Sequence, residues 1–229
     1  MSKPTRLSPS SGLNLYNDCP KCFWLQYNKK IHRPRGIFPS LPSGMDNVIK
    51  SYFDKYRGKK KGLPPELVGK VEGVLMPELE LMNKWRDWRT GLEYNDKKRN
   101  ATLFGALDDC LLDGDTYIVL DYKTRGFPPG SVEESQRYYG TQMDAYTLML
   151  WANGYKVAPF AYLVYYYPES VGEKGIVKFN IEIKKIETSV KRVKELFEKA
   201  LDCLADKEPD SHSSCEYCSW GMSRVDLTG

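Results

Sequence analysis

The segment from Thr102 to Thr124 constrains this chain more than any other. Two strand-like runs flank an Asp113-Gly114-Asp115 turn, a strong short-range hairpin signal. With Gly114-Asp115 as a two-residue turn, Asp113 pairs with Thr116, and counting back along both strands sets Asp108 opposite Asp121. Side chains alternate with period two, so Asp108, Asp121 and Lys123 share one face while Asp109 points the other way. Taking Asp113-Gly114 as the turn slides the register by two and leaves that face assignment unchanged.

Two carboxylates opposed on one sheet face have Cβ atoms about 5 Å apart and repel each other. A divalent cation between them removes that penalty, and Lys123 adds a positive charge beside it. Such a set suits phosphodiester hydrolysis. The metal polarises the phosphate and acidifies the attacking water, while the lysine orients that water or stabilises developing negative charge. The same spacing also fits a solvated hairpin with a charged outer face, so the pattern alone leaves both readings open.

At 229 residues the chain fits one domain, or one domain with a substantial appendage, and 41% apolar residues suffice for a core. No apolar run approaches the roughly 20 residues that span a bilayer. Met1-Ser2-Lys3-Pro4-Thr5-Arg6 leads into no signal-type apolar core, so a cytoplasmic protein is expected. The net charge of +4 permits a nucleic-acid partner without demanding one. Basic residues bunch at Lys29-Lys30, at His32, Arg33 and Arg35, at Lys59-Lys60-Lys61 and at Lys97-Lys98-Arg99; each bunch suits phosphate contact or a solvated surface.

Ser8 before Pro9 starts a short helix that should end before Pro20. A loop with Pro34, Gly36, Pro39 and Pro42 follows, and then a helix from about Ser43 to Tyr56 with Val48, Ile49, Tyr52, Phe53 and Tyr56 at helical spacing. Asp46 near the inner face of that helix is either a further acidic ligand or a first-turn acid favoured by the helix dipole. Glu66–Val74 and Pro77–Thr90 are expected to be helical, with Trp85 and Trp88 in core contact, and Gly91–Asn100 a polar linker. Past the break at Arg125–Gly130, a helix is expected from Val132 to Ala152. Gln142 and Tyr146 project from one face of it, as a polar surface position and a core aromatic or as site residues. Val157–Tyr167 suits a strand covered on both faces, Gly175–Ile186 a half-exposed strand, and Ser189–Asp206 an amphipathic helix. The expected fold class is α/β (α+β), a mixed sheet flanked by helices with a helical cap.

Cys19 and Cys22 form one C-x-x-C pair, and Cys215 and Cys218 form another. Paired C-x-x-C motifs are a specific pattern for a closed four-thiolate site holding zinc or an iron–sulfur cluster, and two unrelated pairs are the bland alternative. Such a site would clamp distant parts of the chain together. Cys110 and Cys203 fall inside a strand and a helix and suit small core positions.

Gly105-x-x-Asp108, Asp121-x-Lys123 and Gln142-x-x-x-Tyr146, in that order, resemble the PD-(D/E)XK nuclease superfamily. The RecB-like branch, including CRISPR-associated iron–sulfur exonucleases, looks closest. Leu7-Ser8-Pro9-Ser10 followed by Tyr16-x-x-Cys19-Pro20 is similar to that branch as well, where the cysteine is the first cluster ligand. The resemblance implies a restriction-endonuclease-like fold and a single nuclease domain over 1–229. Residues 1–35 and 205–229 would form a cysteine metal-binding lobe, 36–100 a helical region and 101–204 the nuclease core. Asp108 and Asp121 would bind Mg²⁺ or Mn²⁺, Lys123 would assist the water, and Gln142 and Tyr146 would steady the site and the strand. The four cysteines would hold a 4Fe-4S cluster, with zinc as the alternative. DNA, single-stranded or at processed ends, would be the substrate, with repair, recombination or CRISPR adaptation as settings.

Two departures from the resemblance stand out. Relatives place three cysteines near the C-terminus as C-x-x-C-x5-C; the third position here is Arg224, and Cys22 would supply the missing thiolate. Relatives also carry a metal-binding histidine four residues after a glycine of the early helix. Counted from Gly44 that position is Val48, and Asp46 is the candidate replacement. Two rivals to a nuclease are a non-catalytic DNA-binding scaffold that retains the fold and the cysteine site, and a redox-sensing cluster protein.

Overall fold

A computed structural model describes residues 4–34, 36, 40–58 and 62–225, with side chains as far as residue 221. Arg35, Lys59-Lys60-Lys61, Pro39 and Met1-Ser2-Lys3 lie outside the described residues, as does the Arg224 side chain.

The architecture follows from the alternation along β6 (Thr116–Thr124). Ile118, Leu120 and Tyr122 face one core, shared with Ile49, Phe53, Leu111 and Val164, while Val119 faces the other, with Met143, Tyr146, Leu163 and Tyr165. A strand buried on both sides needs helices on both faces of its sheet. Here α3 (Ser40–Asp54) covers the first face and α5 (Val132–Ala152) the second.

β6 pairs antiparallel with β5 (Asp109–Asp113) across Gly114-Asp115, in the register that sets Asp113 against Thr116. Gly114 has φ +60°, a conformation open to glycine at the leading position of a tight hairpin turn. On its other side β6 runs parallel to β7 (Lys156–Val171), which pairs antiparallel with β8 (Val177–Glu187). A short β2 (Val74–Leu75) completes the order β2-β5-β6-β7-β8.

A second sheet, β1-β4-β3, joins β1 (Thr5–Leu7) in parallel to β4 (Ala101–Gly105) and β4 antiparallel to β3 (Leu92–Asp96). The core is therefore built on two mixed sheets rather than one. Helix α5 lies against both, and Gly105 makes that approach possible: a methyl group there would stand 2.9 Å from Met149 Cε and 3.0 Å from Tyr146 Cε1. Helix α6 (Val190–Ala205) is tied to α5 through buried Asp144, which accepts from the Ser189 N–H at 2.8 Å and from Arg192 Nε at 2.6 Å.

Helix α5 spans the expected residues, with Ser131 accepting from the Glu134 N–H at its start, and Ser189 caps α6 through the Arg192 N–H. Elsewhere the sequence expectations need correction. Residues 66–74 are not a helix: a single turn at Pro65–Leu67 gives way to bends with positive φ at Gly69 and Gly73, and then to β2. Gly91–Asn100 is not a linker but β3 and its turn, in which Asn100 takes φ +49°. The region 36–100 is therefore not wholly helical. Helix α4 (Leu79–Arg86) is shorter than expected, and Trp88 is exposed while Trp85 is buried.

The run from Thr102 to Leu112 is not one strand. It breaks at Ala106–Asp108, where the chain passes from the second sheet to the first. Helical structure resumes after Pro20 in α2 (Pro20–Trp24), because proline is tolerated at a first helical position, and continues as a π-helical stretch to Lys29. Helix α3 starts at Ser40, earlier than expected, which places Asp46 beyond its first turn and leaves Val48 exposed. Cys110 is buried, whereas Cys203 is only half-buried. No helix among the described residues is long and apolar enough to cross a membrane.

Candidate active site and cysteine cluster

Asp121 and Lys123 leave β6 on the side facing α5, and Asp108 stands where β5 begins, near enough for its charge to act on Asp121. Asp121 is fully buried. Lys123 Nζ lies 2.5 Å from Asp121 Oδ2 as an ion pair, yet neither Asp121 oxygen receives an aligned hydrogen bond. Burial pushes the Asp121 carboxyl up to about 7; Lys123 opposes the rise and Asp108 adds to it. Burial also works against charge on Lys123, but Asp121 and Asp108 hold its pKa above the ordinary lysine value. The amine is therefore an ammonium at neutral pH, suited to stabilising negative charge rather than abstracting a proton.

Helix α5 supplies the wall. Lys123 Nζ donates to Gln142 Oε1 at 3.3 Å, Gln142 Nε2 donates to the Tyr146 hydroxyl at 2.9 Å, and the Lys123 ammonium sits 4.7 Å from the Tyr139 ring centroid. Burial, followed by the charges of Asp121 and Asp108, raises the Tyr146 pKa, so its hydroxyl stays neutral.

Helix α3 supplies Lys50, which sequence reasoning missed. Its Nζ donates to Asp46 Oδ2 at 2.7 Å and to Asp108 Oδ1 at 2.8 Å. Asp46 is therefore joined to Asp108 through an ammonium. Among the described residues, only the four cysteines form a group of three or more metal-type donors all within 4.8 Å of one another, so Asp46 does not close on Asp108 and Asp121 to that degree. The i,i+4 spacing of Asp46 and Lys50 was the available signal.

Asp109 faces the opposite side, as period two requires. Arg57 Nη2 reaches its two oxygens at 2.7 and 2.6 Å, Arg86 Nη2 donates to Oδ2 at 2.8 Å, and the Tyr122 hydroxyl bonds the same oxygen. Asp54 links the two guanidiniums, and Arg86 Nε donates to the Asp108 carbonyl at 2.8 Å. This buried network fixes the backbone at the point where Asp108 must be presented. It too was missed, because its members are scattered from position 54 to position 122.

Two buried carboxylate oxygens without aligned donors, a second carboxylate beside them and an open approach through half-buried Asp108 fit a hard divalent cation. Asp108 and Asp121 are the residues able to hold it.

The cysteines gather elsewhere. Cys19 and Cys215 each immediately precede a helix, α2 and α7 (Glu216–Val225), and Cys22 and Cys218 lie in the first turns. The Sγ separations are 3.8 Å for Cys19–Cys218, 3.6 Å for Cys22–Cys215 and 3.5 Å for Cys22–Cys218, and Arg33 Nη2 donates to Cys215 Sγ at 3.6 Å. Four thiol sulfurs within 4.8 Å of one another can hold a metal.

A five-stranded mixed sheet with two acids and a lysine converging beside one helix is a nuclease-type framework. The sequence model of the PD-(D/E)XK nuclease superfamily matches residues 6–223, and the chain belongs to that superfamily. Its members are in general nucleic-acid hydrolases that use divalent metals. No curated protein matches the chain. Among solved structures, one titled "Crystal structure of SSO0001" is similar at 14% identity and a TM-score of 0.44, covering 97% of this chain and 87% of that one.

Proposed function

We propose that the protein is a divalent-metal-dependent deoxyribonuclease that hydrolyses phosphodiester bonds of single-stranded or end-processed DNA in an exonuclease-like manner. Asp121 carries this reading: it is a fully buried carboxyl beside a second acid, and with Lys123 paired to one oxygen and no aligned hydrogen bond to either, it keeps acceptor capacity that a divalent cation would use. Mg²⁺ or Mn²⁺ held by Asp108 and Asp121 would polarise the scissile phosphate and acidify a bound water.

The chain's own groups do the rest. Lys123, kept protonated by its acidic neighbours, stabilises charge building on the phosphate, and Gln142 and Tyr146 fix where its ammonium points. Lys50 balances Asp46 and Asp108 and offers a second cation to the incoming backbone. The single-strand preference is supported by two exposed aromatics, one four residues past Lys123 in the chain and one beside the Tyr139 ring that its ammonium faces. Phe127 lies just beyond the end of β6, and Tyr138 stands beside Tyr139 on α5; each carries an arginine, Arg125 at 4.6 Å and Arg137 at 5.0 Å from the ring centroid. Exposed rings paired with guanidiniums suit splayed bases and their phosphates.

The test is cleavage of end-labelled single-stranded, duplex and circular DNA with Mg²⁺ or Mn²⁺. Asp121→Ala and Lys123→Ala should each lower the rate by about a hundredfold or more. Undiminished activity in either variant overturns the assignment, and tight binding without cleavage in every divalent metal would favour a scaffold. Digestion of linear but not circular single strands is the expected exonuclease signature.

A further inference from the structure

The 4Fe-4S cluster that the iron–sulfur branch implies does not fit the sulfur spacing found here. One tetrahedral ion with metal–sulfur bonds of about 2.3 Å sets its four sulfurs about 3.8 Å apart along every edge. Three of the six separations, at 3.5, 3.6 and 3.8 Å, match that figure, and the other three stay inside 4.8 Å. A cubane places four irons between its thiolates and drives the sulfurs well beyond such an edge.

The surroundings hold the small tetrahedron in place. Cys19, Cys22 and Cys215 are buried in the main core, on helices that pack into it, and Cys218 packs against it. Both C-x-x-C pairs use one device, in which the first cysteine sits at the helix start and the second in its first turn. Arg33 offsets part of the negative charge that four thiolates leave around a divalent ion.

We infer that Cys19, Cys22, Cys215 and Cys218 hold a single zinc ion in a closed, redox-silent site. Four sulfur donors leave no position for water or substrate, so the site serves the fold. The inference is independent of the catalytic reading, since none of its readouts involves DNA.

The test is performed on the full chain purified anaerobically from cells supplied with both iron and zinc. Expected are one zinc per chain, no sulfide-to-iron absorption band, and an X-ray absorption spectrum with one zinc–sulfur shell at about 2.3 Å and no metal–metal scattering. Exchange with cobalt should give the visible bands of a tetrahedral four-thiolate ion. Cys218→Ser, at the most accessible ligand, should lower zinc retention during dialysis against a chelator at least tenfold. Four irons with matching sulfide, a single iron, two disulfides without metal, or zinc that survives Cys218→Ser unchanged would each overturn the inference. The spectra of the unaltered protein decide even if the variant does not fold.

Discussion

Asp121 is the residue on which stability and activity pull apart. Its carboxyl titrates near 7 in the fold against an ordinary value of 3.8, because burial disfavours the charged form. Between those two values the folded chain keeps a proton that the unfolded chain has released. Metal-free stability contributed by this group is thus full below about pH 4 and lost as pH rises through about 7. Asp121→Asn removes the titration. In chelator, the variant should melt higher than the unaltered protein at pH 8, with the gap closing as pH falls toward 4, while cleavage is abolished. Thermal melts across that range check the sign; a variant less stable than its parent at pH 8 would contradict it. Adding Mg²⁺ should restore the parent selectively, since only the parent has an ionisable carboxylate there to meet it.

At the scale of elements, the site depends on how β5, β6 and α5 are held. Asp109 takes two guanidiniums and a phenol in the buried interior, so Asp109→Ala would leave Arg57 and Arg86 sharing the single charge of Asp54 and should cost about 3–5 kcal/mol in urea unfolding. The strip between the end of β6 and the exposed face of α5 carries the substrate prediction. Phe127→Ala and Tyr138→Ala should each weaken single-stranded oligonucleotide binding by about 1–3 kcal/mol and leave duplex binding unchanged, measured by fluorescence anisotropy. The elements legible in the sequence were those with local signals: the glycine turn, the Ser8 cap ahead of Pro9, and the long alternating or helical patterns of β6 to α6. Those that were not depend on distant partners. Leu92–Asp96 reads as polar linker because only its pairing with Ala101–Gly105 makes it a strand, and β2 has just two residues, far too few for a pattern. Lys50 was only half legible for a similar reason: Asp46 stands four residues before it, but its second carboxylate lies 58 positions further along the chain.

On the scale of the whole molecule, α5 joins two sheets that the sequence suggested as one. The break at Ala106–Asp108 hands the chain from the first-built sheet to the other, and Asp108 sits at that transfer. Anything that loosens one sheet against the other therefore reaches the candidate metal site directly. The superfamily was legible because Asp121, Lys123, Gln142 and Tyr146 fall inside well-patterned elements and Asp108 falls just ahead of one; the nature of the cysteine site was not, because C-x-x-C spacing is common to one-ion and cluster sites, and only sulfur-to-sulfur distances separate them. Those sulfurs belong to residues 199 positions apart, with the candidate catalytic groups lying between them in sequence. A ribosome must therefore have released Asp108, Asp121 and Lys123 before the fourth cysteine emerges. Any ion that needs all four sulfurs is thus captured as a latch that closes only after the candidate catalytic segment has been made.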